Sequence, residues 1–125
     1  MRFLTDRKRV DGLGSAKQGT SHFWEQRISA VALLFLVPLF VLPFAYNLGD
    51  GYEAVRAAYA HPINAVIAIA FIATAFLHLF QGLQVVIEDY VHGRLGMMLI
   101  ISARLLCTLF ALVGVYAIIR ISLGA

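Results

Sequence analysis

A lone histidine, His78, opens the apolar run "HLFQGLQVVIEDY" (residues 78–90), which closes on an adjacent Asp89 and Tyr90. Neutral imidazole is a good iron ligand, and haem iron often takes histidine. A phenol can donate a hydrogen bond to a quinone carbonyl, and a neighbouring carboxylate can orient that donor or help supply protons. At about 100° per residue, Phe71, Thr74, Ala75, His78, Gly82, Val85 and Asp89 fall on one side of a helix. His78 and Asp89 are then about three turns, or ~16 Å, apart along the axis. Gly82 lies between them and leaves a flat place for a large planar group or another helix. Each residue also has an ordinary reading. His78 could hydrogen-bond a neighbouring helix, Gly82 could serve packing, and Asp89-Tyr90 could be a solvated acid beside an interfacial tyrosine. From His78 alone, haem ligation and structural hydrogen bonding both stand open. With one suitable histidine in the chain, a six-coordinate haem needs its second ligand from a partner. His22, His61 and His92 lie near the ends of apolar runs, where a solvated histidine is the ordinary explanation.

The elements that must carry these residues follow from hydropathy. The chain has 125 residues, 61% of them hydrophobic and only 14% charged, which is too apolar for an ordinary soluble domain. Three apolar stretches, about residues 28–48, 63–87 and 95–119, each meet the roughly 20 residues that a helix needs to cross the ~30 Å hydrocarbon core. The sequence therefore predicts an all-α integral membrane protein: three transmembrane helices in one membrane-anchor domain over residues 1–125, with residues 1–27 as a polar N-terminal segment. Pro38 and Pro43 lie inside the first span, where a kink is expected and not a break. Arg2, Arg7, Lys8, Arg9, Lys17 and Arg27 all precede that span. Positive charge stays on the cytoplasmic side, which places the N-terminus inside and the C-terminus outside. The net charge of +3 is explained by this asymmetry, and a nucleic-acid role has little support. No cleavable signal peptide is evident, and Asp6 and Asp11 weaken a transit-peptide reading. A bacterial inner membrane is the expected location, ahead of the mitochondrial inner membrane. Cys107, the single cysteine, reads as a small apolar residue of the third span.

Between the spans the sequence is plainer. "DGLGSAKQGTS" (residues 11–21) should be irregular or ordered by a partner. "SHFWEQR" (residues 21–27) puts aromatic anchors at the membrane entrance. "GDGYEAVRAAYAHP" could form a short amphipathic helix with Tyr52 and Tyr59 near the interface. The short turn over "EDYVHGRLG" makes spans two and three antiparallel neighbours. Three helices offer little interior for a polar group, so Gln81, Gln84, Thr74 and Ser102 could hydrogen-bond across helices, and the chain looks like part of a complex. Arg27, at the start of the first span, could pair with an anionic group such as a haem propionate or serve as a positive anchor. Arg104, about ten residues into the third span, could face the bundle interior or extend its stem toward the interface.

These residues resemble a known family. "HLFQGLQVVIEDY" is similar to the second span of the small cytochrome b membrane anchor of succinate dehydrogenase (succinate:quinone oxidoreductase, complex II), and "SAKQGTSHFWEQRISA" resembles that family's approach to span one. The resemblance implies an anchor that is non-catalytic by itself, joined to a second cytochrome b anchor, an iron–sulfur protein and a flavoprotein of the same complex. It implies haem b shared between the two anchors, with His78 as an axial ligand to the haem iron and Arg27 at a propionate. Ubiquinone would be bound by Tyr90, with Asp89 supporting the quinone site. Two other readings stand beside it. One is the b-type cytochrome anchor of fumarate reductase or another respiratory complex. The other is a non-redox structural or transport protein of the membrane in which His78 and Arg104 form a polar network.

Overall fold

The structure is a computed structural model that describes residues 5–11 and 19–124. The expected irregular stretch falls mainly on residues 12–18, outside the described residues. A short helix α1 (Asp6–Asp11) comes first, followed by α2 (Gly19–Tyr46), α3 (Tyr52–Ala60), α4 (Pro62–Tyr90) and α5 (Gly93–Ser122). Every described element is helical, and α2, α4 and α5 are each long and apolar enough to cross a membrane. The expectation of an all-α protein with three transmembrane helices is met.

The helices outrun their apolar segments. Helix α2 begins at Gly19, well before the apolar run starts at Ile28, because Glu25, Gln26 and Arg27 are good helix formers that carry the hydrogen-bond ladder into a polar zone. It also continues through both prolines. Pro43 has no N–H to offer the carbonyl of Leu39, and a donor arrives next door: the Tyr59 hydroxyl of α3 bonds to the carbonyl of Phe40. Helix α2 ends where Asn47 folds its side-chain amide back onto the Pro43 carbonyl at 2.7 Å. Pro62 opens α4 at a position where its missing N–H is of no consequence.

Helix α4 lies at the centre. It packs against α2 on one side and α5 on the other, while α2 and α5 make no close backbone approach to each other among the described residues. The link from α4 to α5 is only Val91 and His92, both extended, with Gly93 at φ 74° starting the next helix. Such a short link forces α4 and α5 to run antiparallel. Gly96 is buried within this turn because the Val91 carbonyl occupies the space where a Cβ would project. Farther along, Gly114 brings α5 close to α4: a Cβ there would sit 3.1 Å from Ile72.

The bundle thus has two ends. One gathers the start of α2, the end of α4 and the start of α5. The other gathers the end of α2, α3 and the start of α4. The small apolar core lies toward the α3 end, where Tyr59, Ala65, Ala68 and Ile118 are buried against Phe40, Ile69 and Ile72. Phe40 and Phe71 stack at 4.3 Å between ring centroids, joining α2 to α4. Tyr59 is not the interfacial tyrosine expected from its place in an amphipathic segment. It is 7% exposed, because α3 folds back over the bundle and inserts it, whereas Tyr52 stays in the open at 73%. Burial pushes the Tyr59 phenol above its ordinary value of 10.0, opposed in part by backbone hydrogen bonding at Phe44.

Replacing Tyr59 by Phe should cost about 1 kcal/mol, the usual net worth of one intramolecular hydrogen bond. Thermal unfolding in detergent should show an earlier midpoint for Y59F. The pH dependence has a definite sign. A raised folded-state value means that the unfolded chain loses the proton first, so the wild-type advantage is complete below pH 10.0 and falls as pH rises above it.

A candidate haem and quinone site at the end of helix α4

Helix α4 positions the residues of interest by its regular geometry. Its apolar residues sustain an unbroken helix from Pro62 to Tyr90, and that continuity fixes the spacing along the face that carries Phe71, His78, Gly82 and Asp89. The α3-proximal part of this face is covered by α2 through the Phe40–Phe71 stack. At His78 the covering ends in a polar tie.

The imidazole Nδ1 of His78 lies 2.9 Å from the hydroxyl oxygen of Ser29 on α2. The same oxygen is 3.1 Å from Oε1 of Gln81 and 2.9 Å from the carbonyl oxygen of Gln26. Ser29 and Gln81 are both buried, at 4% and 3% exposure, while His78 itself is half-buried. The other ring nitrogen, Nε2, makes no hydrogen bond among the described residues. One turn further on, Gly82 faces open space, with nothing within 4 Å of where a Cβ would stand. The helix therefore presents an imidazole held by one nitrogen and available through the other, beside a smooth stretch of backbone. This arrangement suits one axial side of a planar metal macrocycle: a nitrogen lone pair for the metal and a gap for the ring edge. Among the described residues no three His, Cys, Asp or Glu side chains converge to hold an ion, so His78 offers a single ligand rather than a set.

Asp89 and Tyr90 sit in the last turn of α4, not in a loop, because the helix continues through Tyr90 before Val91 turns extended. Both are exposed, Tyr90 at 81%. They share the end of the helix that lies about 16 Å beyond His78 and do not touch it. Arg27 lies about 200° around α2 from Ser29, with its guanidinium 4.9 Å from the centroid of the Phe23 ring. The fold thus brings His78 and Gly82 onto one patch and Asp89 with Tyr90 onto another, and leaves Arg27 at the start of α2, exposed.

Two features of the site are not legible in the sequence. The first is Ser29, an ordinary small residue in an apolar run. Ser29 stands one residue into its apolar run and His78 nine residues from the inner end of its own, so nothing in the sequence pairs them. The second is a groove of about 480 Å³ between α4 and α5. Phe76, Leu77, Ala111 and Leu112 line its apolar part, and His22, Glu25, Gln84 and Arg104 its polar end. Arg104 has its guanidinium 5.6 Å from the centroid of the Phe80 ring. It therefore faces this groove, on a different side of α4 from His78. The Nε2 of His22 is buried with no hydrogen-bond partner among the described residues. Of the expected cross-helix bonds, Gln81 makes one to Ser29, whereas Gln84 bonds Glu88 on its own helix at 2.8 Å.

Several proteins are similar to this chain over most of their length. The succinate dehydrogenase hydrophobic membrane anchor subunit of Paracoccus denitrificans is 37% identical over 125 residues, covering 100% of this chain and 97% of that one. The protein of the same name from Rickettsia bellii is 31% identical over 93% of this chain and 94% of its own length, and that of Rickettsia typhi is 30% identical over 83% and 84%. No solved structure matches. Residues 1–121 match the family described as succinate dehydrogenase/fumarate reductase transmembrane subunit. By both criteria, a family match over nearly its whole length and full-length relatives, this three-helix membrane protein belongs to the succinate dehydrogenase/fumarate reductase transmembrane subunit family.

Proposed function

We propose that the chain is the small hydrophobic anchor of a succinate:quinone oxidoreductase in a bacterial inner membrane. It shares haem b with a second cytochrome b anchor, borders the ubiquinone site, and seats the iron–sulfur protein and the flavoprotein on the membrane. The N-terminus and the end of α4 then face the cytoplasm, in keeping with the basic residues before α2. The observation that carries the proposal is His78 itself: an imidazole in an apolar span, tied through Nδ1, with Nε2 free beside the open space at Gly82.

The residues divide the work. His78 would hold the haem iron through Nε2, with the second anchor supplying a further ligand. Arg27, exposed near the start of α2, would offer its guanidinium to a haem propionate. When bound, the haem supplies a one-electron redox centre within the membrane. Tyr90 donates its phenolic proton in a hydrogen bond to a ubiquinone carbonyl oxygen at the membrane surface. Asp89, its neighbour on the last turn, keeps a carboxylate at hand to orient that donor or to relay a proton from the cytoplasm. Both side chains are exposed in this chain alone. Walls that exclude water from the quinone head must come from the companion proteins of the complex, and exclusion of water strengthens the Tyr90 hydrogen bond.

The test is a reduced-minus-oxidised spectrum of material purified through a tag on the C-terminus in mild detergent, with the accompanying chains identified. A b-type haem together with a flavoprotein and an iron–sulfur protein is the expected result. Haem with other partners would move His78 to a different respiratory complex. Absence of both haem and partners would overturn the proposal. Comparing succinate oxidation with fumarate reduction in the same material decides between the two activities named in the family's description.

A further inference from the structure

We propose that Ser29 and Gln81 are positioning residues that fix the tautomer and plane of the His78 imidazole and thereby set the redox potential of the metal it holds. The proposal rests on the haem reading above and goes beyond it by assigning a role to two residues that touch neither iron nor quinone.

The argument is a count of protons. The Ser29 hydroxyl has one hydrogen to give and two lone pairs to receive with. Three groups lie within hydrogen-bond distance: the Gln26 carbonyl at 2.9 Å, Oε1 of Gln81 at 3.1 Å and Nδ1 of His78 at 2.9 Å. The Gln26 carbonyl can only accept. Gln81 either competes for the same proton through Oε1 or, with its amide turned over, donates to the serine oxygen. The Gln26 carbonyl, 2.9 Å away on the same helix, takes the proton of Ser29, and the contact with His78 is satisfied when Nδ1–H donates to the serine. The imidazole is then the tautomer that carries its lone pair on Nε2, the form required for metal binding at that nitrogen. The tie also crosses between helices. Ser29 belongs to α2, while His78 and Gln81 belong to α4, one turn apart on the side that packs against it. Both supporting side chains are almost wholly buried, so water does not compete for these bonds, and each lost partner leaves a polar group stranded in an apolar span.

The electronic consequence has a direction. A hydrogen bond from Nδ1–H to an acceptor makes the imidazole a more basic, more electron-donating ligand. That favours ferric over ferrous iron and lowers the midpoint potential. Loss of the acceptor should raise it.

The experiment uses the whole purified complex carrying Ser29→Ala, with redox titration of the haem absorbance and low-temperature EPR of the ferric haem. The expected result is retained haem whose ferric-to-ferrous preference falls about tenfold, an upward shift of ~59 mV for a one-electron couple, with altered ferric g values. Ser29→Thr, which restores a hydroxyl, should return both readouts toward the parent. Haem with the parental potential and parental g values in Ser29→Ala overturns the proposal. If Ser29→Ala does not assemble, Ser29→Cys takes its place, since a thiol of similar size is a weak acceptor. A raised potential then supports the role, and a parental potential overturns it. Failure of the underlying haem reading looks different, because His78→Ala would then leave the haem spectrum intact whatever Ser29 does.

Discussion

With His78 as the proposed haem ligand, its replacement by Ala should remove the b-type haem signal from the assembled membrane complex while the polypeptide still inserts. The expected loss is large because the chain has one ligand to give. Outer-shell changes at metal sites already cost 10–100-fold in affinity, so deleting an axial ligand should cost about 100-fold or more and leave no haem through purification. Insertion should survive, since α4 keeps its length and becomes more apolar. The measurement is haem per complex by absorbance against protein by immunoblot of the membrane fraction. An unchanged haem-to-protein ratio sinks the ligand assignment. Loss of the polypeptide from the membrane would instead show that His78 matters for folding through its bond to Ser29, and Ser29→Ala should then reproduce that loss.

The second large effect is expected at the end of the same helix, in its last turn. Tyr90→Phe keeps the ring and deletes the one atom proposed to meet the quinone. A hydrogen bond worth about 1.4 kcal/mol more in the reacting complex than in water corresponds to roughly tenfold in rate. Quinone reduction should therefore fall about tenfold, while succinate oxidation through an artificial acceptor at the flavin continues at the parental rate. Equal loss of both activities would point to defective assembly, and equal retention would remove Tyr90 from the quinone site. Tyr90 is 81% exposed in the isolated chain, so its hydroxyl supports nothing within the fold and this substitution should leave folding of the chain unchanged.

These two effects concern residues that the sequence exposed to view, and the reason is chemical contrast. An ionisable ring in a run as apolar as residues 63–87 stands out without any structure, and so do three stretches long enough to cross a bilayer. Other features depend on packing between segments distant in sequence. Ser29 bonds the carbonyl of Gln26 within its own helix, which is what a serine in any membrane helix would do; only the approach of α2 to α4 gives it His78 and Gln81. Tyr59 and Tyr52 sit seven residues apart on one short helix and look equivalent, yet one is buried beneath α3 and the other is not. The reach of α2 back to Gly19 is hidden because hydropathy marks where lipid begins, not where hydrogen bonding stops. Arg104 can be read for depth but not for direction, since its place in the α4–α5 groove depends on how two helices rotate against each other.

The scarcity of interior in this bundle has a consequence for the living cell. No large side chain among the described residues is fully buried, and the His78 edge, Gly82 and Arg104 all lie in apolar spans with faces left open by the chain's own fold. In hydrocarbon an uncovered arginine costs about 2.5–3.5 kcal/mol on insertion scales, a penalty that falls when another chain or a cofactor covers it. On the function proposed above, a newly made copy is one part of a larger folding unit, and its lifetime depends on how quickly the other subunits arrive. That reading calls for synthesis matched to theirs, with proteolysis of any surplus.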